Sequence, residues 1–336
     1  MAGTPGPSPD AARKGEAVTA GSDTLVDGLV ARVAPKAKSL IVTVYGDAIA
    51  HRGGNAALGS VIALLEPLGI AERTVRTSMF RLAQEGWLQP RAIGRRSDYR
   101  LTETGSRRFE AVHERIYRQA QRPWDGQWTI VATGPAPIDT AVRERLQRDL
   151  GWQGFGHLAG GVMVHPDHDE AALRALLAEV GHHVLVVRGP AASWVAPEVF
   201  DEVVRAGWDI ARLAADYEAF LDTFRPLWAA LQRESRIEPA RGFAIRTLLM
   251  HGYRRAILRD PKLPDELMPH GWPGAAARAL CRNLYRRVEA AAEAHVSAVL
   301  HTAEGPVPDA SPAYFGRFGG LRTMAAQVGF EGEPSS

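Results

Sequence analysis

The sequence predicts an α+β fold of three domains: an N-terminal winged helix-turn-helix domain at 37–120, a middle ferredoxin-like βαββαβ domain at 124–190, and an all-helical C-terminal domain at 205–300. Three patterns predict this architecture. A basic amphipathic helix is followed directly by a hairpin signal, strand and helix signals then alternate, and helical periodicity dominates beyond Gly207. With 336 residues, of which 46% are hydrophobic and 23% charged, the chain can bury several cores.

The two ends of the chain are predicted to lie outside these domains. Residues 1–23 are rich in Gly, Pro, Ala and Ser and lack the apolar region of a secretory signal, so we expect a disordered tail, and 301–336 form a second tail segment. The longest apolar runs fall far short of the roughly 20 residues that span a bilayer. Cys281 is the single cysteine, which excludes an internal disulfide and a cysteine-based metal site. We therefore expect a cytoplasmic protein without membrane contact.

Positive charge is concentrated in one short segment. Between Ala71 and Arg108 nine arginines stand against four acidic residues, a segment charge of +5, whereas the whole chain carries +2. Such a local excess is typical of a surface that binds polyanions such as nucleic acid.

Apolar periodicity predicts three helices around this segment. The first spans 38–49, and 55–58 can form a short strand after it. Ser60 is the expected N-cap of a second, shorter helix. The third helix spans 71–85 and would pack against the first two through one apolar face. That face carries Val75, Met79 and Leu82.

The opposite face of the third helix has chemistry suited to reading DNA. Arginine can donate two hydrogen bonds to guanine, and threonine can contact a phosphate or a thymine methyl group. An isolated row of arginines could instead be a solvated helix face that binds nothing. The basic hairpin that follows favours the DNA-binding interpretation. Phe80 lies among the arginines, and packing on another domain would explain an apolar ring there. The predicted contacts in this helix are Arg73, Thr74, Arg76, Thr77 and Arg81.

A basic hairpin and a further helix follow. The first strand begins at 86–88, residues 94–98 form the turn, and 99–101 return as the second strand. Thr102 then opens a helical stretch over 106–119. The order helix, helix, helix, hairpin, helix predicts a winged-helix domain. The predicted DNA contacts in the turn are Arg95, Arg96 and Ser97.

Several motifs resemble the PaaX family of bacterial repressors. In the first domain these are 74–82 (TVRTSMFRL), 85–88 (EGWL) and 99–105. In the C-terminal part they are Tyr253-Arg254-Arg255, Arg259-Asp260-Pro261, Leu263-Pro264 and Trp272-Pro273-Gly274. The resemblance covers almost everything after the N-terminal tail, and the motifs are specific in combination.

The resemblance implies a homodimeric, DNA-binding transcriptional repressor of aromatic-acid catabolism, in its best-known form phenylacetate degradation. It also implies release from DNA by an aryl-acyl-CoA effector such as phenylacetyl-CoA. A two-fold symmetric protein matches a palindromic operator whose half-sites are separated by whole helical turns.

The middle of the chain has the element order βαββαβ, which is a ferredoxin-like unit. Strands are predicted at 128–133, within 155–165 and at 183–187, and helices at 138–150 and 170–180. In this part of the chain, the PaaX family that the sequence resembles is similar to the Cas2 nuclease fold. Cas2 nucleases use an acidic residue near the end of the first strand, whereas this strand ends Ile130-Val131-Ala132-Thr133, so nuclease activity is not expected.

Histidines crowd the middle domain and raise the alternative of a divalent metal site. The run His165-Pro166-Asp167-His168-Asp169 could supply imidazole and carboxylate ligands. Partly exposed histidines at strand ends and loop entries, without a metal, are the interpretation we prefer. The residues concerned are His157, His165, His168, His182 and His183.

The C-terminal domain offers a candidate effector site. Helices are predicted at 210–221, 243–258 and 275–294, and the proline-bearing connection 259–274 should be an ordered loop. A CoA thioester needs cations for its phosphates and an apolar wall for an aromatic acyl group. The alternative is that the cluster merely docks the loop onto the helices. The predicted effector-binding residues are Trp208, Tyr253, Arg254, Arg255, Arg259 and Trp272.

Two other classes of function stand beside the repressor. One is an enzyme, either a CoA-thioester hydrolase or a metal-dependent nuclease, and the other is a noncatalytic RNA-binding module. No Ser-His-Asp, Cys-His or phosphate-binding glycine motif occurs at a convincing spacing, and Cys281 lies in a predicted helix. We therefore predict a protein that is not an enzyme and has no cofactor and no metal.

Overall fold

A computed structural model describes residues 25–117, 123–133, 139–178, 184–196 and 198–321. Helices and β-sheets are both present, as the sequence predicts. The chain divides into two compact units, the first formed by Met1–Arg118, Phe220–Arg255 and Ala277–Ser336, and the second by Gln119–Ala219 and Ala256–Ala276. The predicted disordered tail at 1–23 lies outside the described residues, as do residues 322–336 of the predicted tail segment. None of the helices in the described ranges is long and apolar enough to cross a membrane.

The first unit begins with helices α1 (25–33), α2 (Ala37–Val44), α3 (Leu58–Leu65) and α4 (Glu72–Gln84). The helix predicted over 38–49 is present, because α2 continues through a π-helical turn at Tyr45–Ile49. Gly53 ends this stretch with a φ of 84°, a conformation that favours glycine. The predicted N-cap at Ser60 is wrong: α3 begins at Leu58, and the Ser60 hydroxyl is buried 2.8 Å from His301 Nδ1.

Three strands form an antiparallel sheet in the order β1-β3-β2, with β1 at Asn55–Ala57, β2 at Leu88–Ile93 and β3 at Arg96–Leu101. Ile93 pairs with Arg96, which leaves Gly94 and Arg95 as a two-residue turn. Helix α5 (Glu103–Tyr117) follows, and its first turn is capped by the Thr102 hydroxyl, which accepts a hydrogen bond from Gly105 N–H at 2.9 Å. The predicted short strand, hairpin and following helix are therefore present.

The rest of the first unit is mainly helical. It contains the C-terminal part of α9 (Ile210–Leu231) and most of α10 (Pro239–Ile257) and α11 (Pro273–Val299). A small hairpin follows, with β8 at His301–Thr302 and β9 at Gly305–Pro306, and then the short helix α12 (Pro312–Phe315). Tyr314 and Phe318 are buried, so residues 301–321 of the predicted tail segment contribute to the core of this unit.

The second unit contains the predicted βαββαβ order: β4 (Gln127–Thr133), α6 (Thr140–Trp152), β5 (Gly156–Ala159), β6 (Val162–His165), α7 (Glu170–Leu177) and β7 (Val184–Pro190), followed by α8 (Glu198–Gly207). The antiparallel sheet has the strand order β5-β6-β4-β7. Val131 and Met163 of the sheet pack with Leu150 of α6 and Leu173 of α7. Trp128 and Val164 pack in a second cluster with Val204 of α8 and Ile210 of α9.

Candidate nucleic-acid interface

Helix α4 has one buried and one exposed face. Val75, Met79 and Leu82 are buried, with 0%, 0% and 2% exposure, where α4 packs on α2 and α3. Burying a side chain of this size contributes about 1.5–3 kcal/mol, which determines the face that points to solvent. The predicted apolar face is confirmed.

The exposed face carries the helix residues predicted to contact DNA. Arg76 pairs with Glu72 at 2.6 Å, but the two side chains are 56% and 57% exposed. An exposed pair four residues apart on a helix is worth only about 0.3–0.5 kcal/mol, so an anionic ligand can replace Glu72 at little cost. Thr77 donates its hydroxyl to the Arg73 carbonyl oxygen at 2.9 Å. All five predicted helix residues are exposed: Arg73, Thr74, Arg76, Thr77 and Arg81.

The β2–β3 hairpin has a basic tip and is anchored through a buried residue of β3. Arg95 and Arg96 are exposed at the turn, and Ser97 is half-buried. Asp98, which the sequence placed in the turn, lies in β3 with a buried carboxylate. That carboxylate accepts hydrogen bonds from Asn55 Nδ2 at 3.0 Å and from Ala303 N–H at 2.8 Å. Because a buried carboxylate needs such donors, Asp98 anchors the middle of β3 to β1 and to Ala303, while the basic tip of the hairpin stays in solvent.

A cluster of charged groups lies in the interior of the first unit, and we call it the buried polar centre. Asp47 is 4% exposed and pairs with Arg246 Nε at 2.9 Å and Arg317 Nη1 at 3.1 Å. Its carboxylate also accepts hydrogen bonds from the hydroxyls of Tyr117 at 2.6 Å and Tyr285 at 3.1 Å. Burial opposes ionisation of Asp47, but the two guanidinium groups hold its pKa below the usual value. The carboxylate is therefore charged.

The buried polar centre connects elements that are distant in sequence. Asp47 lies in the turn that continues α2, Arg246 in α10, and Arg317 after α12. Glu293 of α11 completes it, because its carboxylate binds Arg246 at 2.6 Å and also Arg52. Helix α2 packs on α4, so the buried polar centre connects the helix that supports α4 with the C-terminal helices of the same unit. Sequence reasoning missed it, and the available signal was a carboxylate within the apolar run at 45–49.

A cleft of about 360 Å³ in the first unit is lined by residues that include His51, Leu101, Phe109, His113 and Ser311. His51 Nε2 lies 3.0 Å from His113 Nδ1, and His51 Nδ1 lies 3.1 Å from Ser311 Oγ. Burial and the charge of Arg317 lower the pKa of His51 to about 3 and the pKa of His113 to about 4. Both rings are therefore neutral at pH 7.

Three of the predicted effector residues lie in the first unit. Arg254 is half-buried and donates hydrogen bonds to Ser39 of α2, at 3.0 Å to Oγ and 3.2 Å to the carbonyl oxygen. Tyr253 is buried, with its ring centroid 5.5 Å from that of Phe220. Arg255 is exposed.

The other three lie in the second unit. Trp208 and Arg259 line one cleft of about 250 Å³. Trp208 donates its Nε1–H to the Gly154 carbonyl oxygen at 2.8 Å, and Arg259 pairs with Asp216 at 3.0 Å. Trp272 packs edge-on against Tyr217, with ring centroids 5.7 Å apart. The structure therefore brings Trp208 and Arg259 together.

Two of the histidines considered as metal ligands, His165 and His168, have partners within the protein. His165 is buried, and its Nδ1 accepts a hydrogen bond from Asp167 N–H at 2.9 Å. His168 Nδ1 lies 3.0 Å from Thr129 Oγ1, and burial lowers the pKa of His168. His157 is exposed, while His182 and His183 lie outside the described residues. Within the described ranges no group of three or more His, Cys, Asp or Glu residues could hold a metal ion.

Comparison with known proteins finds three family models along the chain. The PaaX-like protein model matches residues 36–105, the PaaX protein central Cas2-like domain matches 121–198, and the PaaX-like protein C-terminal domain matches 208–298. The transcriptional repressor PaaX of Escherichia coli (strain K12) is 41% identical over 302 residues, which cover 89% of this chain and 95% of that protein. Among solved structures, an uncharacterized protein from Mycobacterium tuberculosis is 24% identical with a TM-score of 0.47, over 70% of this chain and 91% of that one.

Proposed function

The chain belongs to the PaaX family of transcriptional repressors, and we propose that it represses an aromatic-acid, phenylacetate-type catabolic pathway by binding operator DNA through α4 and the β2–β3 hairpin. It is a regulator and not an enzyme. The main observation that supports this DNA-binding surface is the exposed row of arginines on α4, a helix whose other face is buried. As a cytoplasmic repressor, it would meet its operator directly.

The proposed DNA-binding domain is a winged helix-turn-helix. Helices α2, α3 and α4 would form the helical core, with α4 in the major groove and the hairpin as the wing. Arg73 and Arg76 lie near the N-terminus of α4, the end that approaches base edges in such domains. Arginine there can bind guanine O6 and N7, while Arg95 and Arg96 at the tip would contact phosphate or the minor groove. We further propose a homodimer on a palindromic operator.

The proposed effector is an aryl-acyl-CoA thioester such as phenylacetyl-CoA, with contacts from Arg254 and Arg255 of the first unit. Arg254 supports a coupling between effector and operator best, because it reaches Ser39 on α2 and α2 packs on α4. A thioester whose phosphate binds the Arg254 guanidinium would press on α2 beside Ser39 and so displace α4. Release would then be allosteric, since the effector and the DNA would bind different surfaces.

The test uses the full chain and fluorescence anisotropy on a duplex that the chain enriches from a random DNA pool. We expect specific binding to that duplex and weak binding to RNA, and phenylacetyl-CoA should raise the apparent Kd for the DNA. Linkage requires the DNA to weaken thioester binding by the same factor. Absence of any preferred duplex would overturn the proposed function.

The effector assignment is tested with Arg254→Ala, which should bind DNA as the wild type does and lose the response to the thioester. Arg205→Ala, at an exposed arginine of α8, is the control and should keep the response. If Arg254→Ala still releases DNA at the normal thioester concentration, Arg254 is a structural residue and the assigned site is wrong.

A further inference from the structure

Phe80 is a large apolar side chain in the middle of the exposed face of α4. Its side chain is 60% exposed, while the adjacent Met79 is fully buried. At 100° per residue Phe80 lies within about 20° of Arg73 around the helix axis, and about 100–160° away from the buried residues Val75, Met79 and Leu82. Thr77 and Arg76 lie three and four residues before it, on the same surface. The sequence suggested packing on another domain, but the ring is mostly in solvent.

The position of Phe80, and not its exposure alone, suggests that the ring has a binding partner. Single exposed apolar residues are common on protein surfaces and carry no meaning by themselves. Phe80, however, lies on a face that is otherwise polar and basic, two helical turns beyond Arg73 on the same line of α4, and this face would lie against base edges along the major groove. In that groove the C5-methyl group of thymine is the apolar feature that distinguishes one base from the others.

We propose that Phe80 reads thymine in the operator by packing its ring against a C5-methyl group. This inference rests on the proposed function, because it requires α4 to lie in the major groove. Phe80 and Arg73 are separated by seven residues, which is roughly 10 Å along the helix axis. On a helix in the major groove, residues three or four positions apart contact successive bases, so the thymine lies about two base pairs from the base or phosphate that Arg73 contacts.

The test removes the methyl group alone. From the duplex that the wild-type chain enriches from a random pool, each thymine is replaced in turn by deoxyuridine, which keeps every hydrogen-bonding group of the base. We expect one position in each half-site where the wild type loses about 4-fold in affinity, the effect of one buried CH₂-sized group. Phe80→Ala should bind the thymine duplex about that much more weakly and should not respond to deoxyuridine there.

Gln84→Ala is the matched control, since Gln84 is exposed on the same face one turn further along α4. It should keep the deoxyuridine effect. An unchanged melting temperature of Phe80→Ala shows that the exposed ring is not needed for folding. If the wild type is indifferent to deoxyuridine at every position, or Phe80→Ala remains as sensitive as the wild type, the proposal is wrong although DNA binding stands. If the chain enriches no duplex at all, the proposed function fails with it.

Discussion

Replacing Asp47 by Asn tests the buried polar centre with a change of charge and almost none of shape. The substituted amide keeps the volume of the carboxylate but removes the negative charge that faces Arg246 at 2.9 Å and Arg317 at 3.1 Å. Both arginines have essentially no solvent exposure, so water cannot replace the lost partner. Two guanidinium charges are then left in the interior with one carboxylate fewer.

The expected magnitude follows from this burial. Removing one partner of a buried ion pair typically costs 3–5 kcal/mol, because the remaining charge stays desolvated. For a domain of 150–250 residues each kcal/mol lowers the melting temperature by roughly 2–4 °C, so Asp47→Asn should lower it by about 6–20 °C. Glu85→Gln is the control, since Glu85 pairs with Lys38 at 2.7 Å but both side chains are 45% exposed. It should cost at most about 1 kcal/mol.

Urea unfolding followed by circular dichroism measures both variants at pH 7, and calorimetry checks the shift in melting temperature. If Asp47→Asn is no less stable than Glu85→Gln, the carboxylate does not stabilise the interior and our account of the buried polar centre is wrong. A large loss for Asp47→Asn alone supports it.

Two further predictions concern salt and pH. The double variant Arg95→Ala, Arg96→Ala should lose two phosphate contacts per protomer, so the slope of log affinity against log salt concentration should become shallower by about 2 per protomer. Arg205→Ala is the control and should leave that slope unchanged. An unchanged slope in the double variant would mean that the hairpin does not contact DNA. The pKa of His51 is lowered to about 3 in the folded chain against 6.5 for a free histidine, so the unfolded chain takes up the proton first as pH falls. The unfolding free energy should therefore fall from pH 6.5 down to about pH 3, and His51→Asn should reduce that fall in urea titrations. His270→Asn, at an exposed histidine, is the control. Equal pH profiles for His51→Asn and the wild type would contradict the role of burial.

Local periodicity predicted the elements of the basic region. The spacing of Val75, Met79 and Leu82 specified which face of α4 is buried, and the complementary face then had to carry the arginines. Residue types that favour tight turns predicted a turn over 94–98, and the structure confines it to Gly94 and Arg95 because residues 96–98 pair in β3. In the middle of the chain the alternation of strand and helix signals predicted the order βαββαβ. Each of these features depends on residues close together in sequence.

Features that depend on distant partners could not be predicted in the same way. Ser60 was expected to cap a helix, but its hydroxyl binds His301, and nothing near Ser60 indicates that partner. Asp98 is anchored by Ala303 for the same reason. A charged residue in an apolar run, such as Asp47, signals a buried partner without identifying it. Tertiary structure is needed to name Arg246 and Arg317.

The central claim, that α4 reads the operator, is tested most directly by the discrimination between the enriched duplex and random DNA. Anisotropy titrations at one fixed salt concentration compare the wild type with Arg76→Ala and Thr77→Ala, with Arg205→Ala as control. Loss of a base contact should reduce the ratio of specific to nonspecific affinity by about 1–3 kcal/mol, or about 5- to 150-fold, for Arg76→Ala or Thr77→Ala. Unchanged ratios in both variants would mean that this face of α4 is a solvated surface and that the chain reads DNA elsewhere.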